Sequence, residues 1–274
     1  MNLPLSEILI FGTLLLAAGA VAGVTAGLLG VGGGIVIVPV LWHLFDALDI
    51  DEAVRMHVAV GTSLATIIIT SMASVRAHHR RGAVDFELLR AWGLWIFIGV
   101  LAGTAIAGFV RGPVLTAVFA TVALVVSLHM GFGKQDWRIS DHLPKDAGRI
   151  SLAGAIGAIS AMMGIGGGTL SVPILSLFGY PIHRAVGTAA AIGFIIGIPG
   201  TIGFVITGWD VADRPPLSLG YISLIGFALI VPTSMLLAPV GARMAHGLNT
   251  KKLKRVFAVF LGFTALRMFY DLLS

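Results

Sequence analysis

The residues able to act on a ligand come in two similar sets. Gly32, Gly33 and Gly34 lie within "GLLGVGGGIVIVPVL", and Gly166, Gly167 and Gly168 within "AMMGIGGGTLSVPIL". Thr169 and Ser171 follow the second triplet. "HVAVGTS", from His57, supplies Thr62 and Ser63, and "HRAVGT", from His183, supplies Thr188. Successive glycines disfavour a helix by about 1 kcal/mol each against Ala. In lipid, a broken helix also leaves backbone groups without water, which is tolerated only inside protein or beside a wet cavity. A helix that begins just past the break presents its first N–H groups and the positive end of its dipole, which suits an anion. Glycine also lets a ligand approach the backbone, and hydroxyls add donors without a fixed charge that would hold an anion too tightly. The chemistry expected is reversible binding of a small anion. The competing reading of the glycines is close helix packing, and the sequence leaves both open. A Walker-type phosphate loop is a poor match, since no Gly-Lys-Ser/Thr follows.

His57 and His183 hold equivalent places before "AVGT". An imidazole there can carry a coupling proton or merely cap its segment. Pro39 and Pro173 follow the glycines at a fixed distance and Pro199 lies in "GIPGTIG", so all three are candidate kinks or hinges. Acidic groups are nearly absent from the expected membrane depth: Glu7, Asp85, Glu87 and Asp271 sit near segment ends. A cation or metal carrier usually needs carboxylates inside, so no metal is expected, and neither a catalytic residue nor a cofactor. The chain has no cysteine, which excludes disulfides and thiol chemistry. His129 aligns with Arg267, where snorkelling or packing is expected.

The elements that must position these residues are hydrophobic spans. Of the 274 residues 57% are hydrophobic and 11% charged, against about a quarter charged in a soluble domain. Runs such as Val186 to Gly208, without a charge, exceed the roughly 20 residues that cross a bilayer core. The fold expected is an all-α polytopic membrane protein. Its segments are placed at Leu5–Leu29, Gly32–Phe45, His57–Val75, Phe86–Val110 and Val114–Met130, then Ile150–Met163, Gly166–Phe178, Ala185–Thr207, Leu217–Ala245 and Leu253–Leu273. Residues 1–132 form a first repeat, 133–149 a polar cytoplasmic linker and 150–274 a second repeat. The glycine stretches align at an offset of 134, the "AVGT" stretches at 126, and "LTAVFA" from Leu115 meets "LKRVFA" from Leu253.

The net charge of +5 reads as topology, since cytoplasmic loops collect Lys and Arg, and nucleic acid is not an expected partner. "RAHHRRG" from Arg76, the linker with Lys134 and Lys145, and the basic run ending at Arg255 are expected inside. "FDALDIDE" and "GWDVADRPP" are expected outside. The halves then point in opposite directions, which requires an odd number of crossings in each. Five full spans satisfy this, and so do three spans plus a re-entrant glycine hairpin. Inverted repeats with a substrate site near the midplane are the architecture of many secondary transporters.

The two glycine motifs, each followed by "AVGT", together with "RRGAVD" and the stretch from Leu219 through "TALRM", resemble the TauE/SafE family of sulfite and organosulfonate exporters. The resemblance covers nearly the whole chain. It implies a permease of the bacterial cytoplasmic membrane that moves a sulfur-containing anion such as sulfite, thiosulfate or a sulfonate. One departure is visible: "GTSLA" from Gly61 has "GTAAA" from Gly187 as its counterpart, so Ala189 cannot mirror Ser63. The function expected is a secondary transporter working by alternating access, with lipid, the anion and protons as partners. A passive anion channel and a membrane enzyme acting on a lipid phosphate are the alternatives. A channel gives no counterflow, and the enzyme would need a cluster of His, Asp or Arg that "RAHHRRG" supplies without a nearby carboxylate until Asp85. Oligomeric state is not legible in the sequence.

Overall fold

Apolar runs of this length become helices because a backbone in lipid can bond only within itself. The computed structural model describes residues 5–30, 32–132, 138–244 and 250–273. Lys134 and the side chains of 251–255, both invoked for orientation, lie outside the described residues. The first half contains α1 (Leu5–Leu29), α2 (Gly34–Ala47), α3 (Glu52–His79), α4 (Phe86–Phe109) and α5 (Gly112–Phe132). The second contains α6 (Asp146–Met163), α7 (Gly168–Leu177), α8 (Ile182–Thr207), α9 (Leu224–Met244) and α10 (Thr250–Leu273). Among the described residues, six helices are long and apolar enough to cross a membrane. The protein is an all-α polytopic membrane protein.

Local chemistry sets the boundaries. Asp51 caps α3 by accepting from Ala53 N at 2.8 Å, so the helix starts before the expected His57. Arg76, His78 and His79 complement the negative end of its dipole and carry it past Val75. The segment expected over Leu217–Ala245 does not begin as helix. A short antiparallel hairpin, β1 (Ser218–Leu219) and β2 (Ile222–Ser223), precedes α9 and turns at Gly220 with φ +56°. The start of α6 at Asp146 takes the last residues of the expected 133–149 linker into helix.

The helices pair through small residues. α1 runs parallel to α9, with Gly19 against Ile230, Gly23 against Ser234 and Gly27 against Ala238. α4 runs parallel to α6, with Gly99 against Gly154 and Gly103 against Ala158. α3 and α8 run antiparallel: Gly61 faces Phe204, Leu64 faces Gly200, Ile68 faces Gly197 and Ser71 faces Gly193. α5 and α10 also pair, with Ser127 Oγ donating to Ala258 O at 2.6 Å. α2 has 14 residues and α7 has 10, lengths of about 21 and 15 Å. Both are short of the roughly 30 Å hydrocarbon core.

Candidate functional site

The two glycine motifs meet each other. A Cβ built on Gly32 would stand 2.9 Å from Gly166 Cα, and one on Gly34 would stand 2.9 Å from Ile165 Cα and strike Gly164 O. The surroundings are the middle of α3 and of α8. Ile67 lies beside Gly32 and Gly34, and Ile192 beside Gly167. Gly30 and Gly164 turn the two motifs with φ of +67° and +65°, which glycine alone adopts without strain. A Cβ at Gly30 would lie 2.5 Å from Val186 O, and one at Gly164 would lie 2.9 Å from Val60 O. These positions correspond under the alignment of the halves. The glycines therefore do pack backbone on backbone. The same contact also brings the first turns of α2 and α7 to one place.

The motifs differ in backbone detail. Gly32 and Gly33 both have positive φ, at +72° and +81°, and Gly33 leads α2 from the left-handed region. Gly167 leads α7 from the right-handed helical region instead. Pro39 lies inside α2, Pro173 inside α7 and Pro199 inside α8. α9 contains Pro232 and Pro239 as well.

The hydroxyls expected at the site divide into two groups. Thr62 Oγ1 accepts from Ser223 N at 2.8 Å, and Thr188 Oγ1 accepts from Asp85 N at 2.9 Å. Ser223 and Asp85 are themselves equivalent, each preceding a helix, so these two threonines tether the starts of α9 and α4. Ser63 Oγ donates to Gly164 O at 2.6 Å, and Thr70 Oγ1 donates to Gly32 O at 3.2 Å. Both tie α3 to the glycine turns. In contrast, Thr169 Oγ1 and Ser171 Oγ, on the first turn of α7, are buried with no hydrogen-bond partner in the protein. Ser71 on α3 and Ser160 on α6 share that condition.

The equivalent histidines are not equivalently placed. His57 is buried, its Nε2 lies 2.9 Å from Ala107 O, and its ring stacks on Tyr221 at 4.8 Å. A carbonyl only accepts, so Nε2 carries the proton, and Nδ1 has no hydrogen-bond partner in the protein. His183 is exposed at the start of α8. Arg267 pairs with Asp271 at 3.2 Å and lies over Tyr270, away from the glycine crossing.

At the end of α8 that carries His183, Asp85 links three elements. It caps α4 by accepting from Glu87 N and Leu88 N, receives the Tyr180 hydroxyl, and pairs with Arg184 at 3.1 Å. Burial alone pushes the Asp85 carboxyl up. The Tyr180 hydroxyl, the two backbone N–H groups and Arg184 outweigh that and hold it below the usual aspartate value. Tyr180 is pushed up by burial and by the Asp85 carboxylate. Beside Tyr180 a cleft of about 770 Å³ opens, lined by Trp92, His142, Lys145 and Arg149 among others.

Sequence reasoning missed Ser71 and Thr70, which sit in an apolar helix past "AVGTS", and Ser160, which directly precedes the second glycine stretch but is not part of its repeated pattern. It also missed the Asp85 cluster. The cap was legible there, because an aspartate directly precedes "FELL" at a helix start. Its partners come from the other half and carry no local signal.

The family model for the sulfite exporter TauE/SafE matches residues 15–268. The chain belongs to this family. A "Probable membrane transporter protein" of Haemophilus influenzae is 34% identical over 259 residues, covering 94% of this chain and 98% of its own. Similarly named proteins of Methanocaldococcus jannaschii and Bacillus subtilis are 26% and 27% identical, and each alignment spans at least 94% of both chains. No solved structure matches. The protein is a membrane transporter of this family, and its named relatives specify no cargo.

Proposed function

We propose that this transporter moves a small sulfur-containing anion, such as sulfite, thiosulfate or an organosulfonate, outward across the cytoplasmic membrane by alternating access between two inverted halves. The observation that carries the reading is the crossing of the two glycine motifs at the middle of α3 and α8. It sits at the N-terminal ends of two helices that both stop short of a full span. Helix N-termini favour an anion, and the side chains near the crossing with a free hydroxyl include Ser71, Thr169 and Ser171. Backbone meets backbone there, so an ion reaches the midplane only when the halves part. That requirement favours a carrier over an open pore.

Opposed halves are supported by the antiparallel run of α3 against α8 and by the matched pairs Thr62–Ser223 and Thr188–Asp85. Residues 1–132 and 150–274 are the two repeats in this reading, with the basic end of α3 inside. The basic cleft beside Tyr180 then faces the cytoplasm, where an outgoing anion is collected. His57, buried near the outer end of α3, is the candidate proton carrier, and His183 is the candidate at the inner end. Pro39, Pro173 and Pro199 are the places where the helices flex.

The test is thermal stabilisation of the detergent-purified protein across sulfite, thiosulfate, sulfoacetate, sulfate, taurine and simple carboxylates. A ligand that binds only the folded state raises its stability. A selective rise with a sulfur anion is expected. A rise confined to carboxylates would overturn the substrate class. Single cysteines at Arg80 and Asp213 are expected to label from opposite faces, and same-face labelling would end the inverted arrangement.

A further inference from the structure

Resting on that reading, we infer that the anion site is one-sided: the ligand docks on the N-terminus of α7, held by Ser71, Thr169 and Ser171, and not on the matching end of α2. Four buried hydroxyls gather around the second glycine motif. Ser160 lies one turn before it, Thr169 and Ser171 one turn after it, and Ser71 faces it from α3. None is more than 2% exposed, and none has a hydrogen-bond partner within the protein. A buried hydroxyl without a partner costs roughly 1–3 kcal/mol. Serine and threonine in a helix ordinarily avoid that by bonding back to a carbonyl of the preceding turn, as Thr104 and Thr116 do in this protein. Four orphans around one helix start mark a place whose partner arrives from outside.

The geometry brings the donors together. Gly193 of α8 has no side chain, and a Cβ built there would lie 2.6 Å from Ser71 Oγ and 3.5 Å from Gly167 N. A hydroxyl donor and the lead-in to α7 therefore meet at one glycine, closely packed here and open to a ligand when the halves part. α7 has 10 residues, enough for a developed dipole, and its first turn reads Gly168-Thr169-Leu170-Ser171.

The first motif has none of this. At the aligned positions Ala26 replaces Ser160, Ile35 replaces Thr169, Ile37 replaces Ser171 and Gly197 replaces Ser71. The nearby hydroxyls on that side are used internally: Thr25 bonds Ala22 O, and Thr70 bonds Gly32 O and Thr66 O. Ile35 and Ile37 are buried and present only carbon. The inverted halves therefore share a packing core and divide the labour of binding. The ligand class is a small oxyanion that accepts from two or more hydroxyls and a helix end, with no counter-charge. The tetrahedral or pyramidal oxygens of sulfite, thiosulfate and sulfonates fit that donor set.

The test uses the full-length protein in detergent, titrated with sulfite, thiosulfate and sulfoacetate while the unfolding midpoint is read. Ser71→Ala and the isosteric Thr169→Val are expected to weaken binding about ten- to a hundred-fold, with Thr169→Ser restoring it. Ile35→Val and Ile37→Val, the matched changes on α2, are expected to leave affinity unchanged. Wild-type affinity in both Ser71→Ala and Thr169→Val overturns the one-sided site while leaving the anion reading intact, as does an equal loss in the α2 variants. A wild-type protein that none of these anions stabilises overturns the anion reading itself, and the one-sided site with it.

Discussion

The two glycine motifs are near copies in sequence, yet they end in different chemistry. Both turn on a left-handed glycine against a valine carbonyl of the opposite half, at Gly30 and Gly164, and they cross at Gly32 and Gly166. Past the crossing, "GIVIVP" buries carbon and "GTLSVP" buries hydroxyls without partners. The difference teaches that the glycines and the hydroxyls answer separate demands. The glycines let two backbones touch in the middle of a membrane protein, a demand both copies meet. The unpaired hydroxyls are the binding groups in the proposed site, and only one copy carries them.

The largest effect is expected where the copies agree. Gly30→Val and Gly164→Val force a branched side chain into positive φ and against a backbone carbonyl, and each is expected to cost about 2–4 kcal/mol or prevent folding. Comparable losses of yield and unfolding temperature in both would uphold their equivalence, and a harmless change at either would break it.

A smaller effect separates the helix starts. Thr62→Val and Thr188→Val each release one buried backbone N–H and are expected to cost about 1–2 kcal/mol. Only the α4 start also holds the Asp85–Tyr180–Arg184 cluster. Because folding lowers the Asp85 pKa, its contribution is present above the ordinary aspartate value and lost as the pH falls through the depressed folded value. Unfolding midpoints of wild type and Asp85→Asn are therefore expected to differ at neutral pH and to converge in acid. A gap that persists in acid would assign the difference to something other than the carboxylate charge.

The smallest effect sharpens the comparison. Ala189→Ser restores the hydroxyl that Ser63 supplies in the first half, where it bonds Gly164 O. Bonding to the equivalent Gly30 O is expected to stabilise by at most about 1 kcal/mol, visible as a slight rise in unfolding temperature. A loss of stability would mean that the second half has no room for the copy.

Much of this was legible in the residues. The long apolar runs gave the spans, and the repeated glycine, "AVGT" and "VFA" stretches gave the proposed correspondence of the halves. The fate of individual hydroxyls was not legible. Thr62 and Thr188 looked like ligand donors because they sit in a repeated motif, and each spends its oxygen on a backbone N–H more than 100 residues away. Ser71 and Ser160 looked like ordinary helix residues, because only packing decides whether a serine finds a carbonyl. His57 and His183 shared a motif but not an environment, since one is covered by Tyr221 and the other is exposed. Sequence repeats report the backbone that two halves share. They do not report which half keeps a polar atom unpaired.

The most direct measurement is counterflow in proteoliposomes. Vesicles holding the full-length protein are loaded with unlabelled sulfite or thiosulfate and diluted into a trace of the same anion labelled with radioactive sulfur. Alternating access through the glycine crossing predicts a transient accumulation of label above its equilibrium level, dependent on the unlabelled anion inside. Label that only equilibrates, at a rate indifferent to the internal anion, would contradict it and make the crossing a pore.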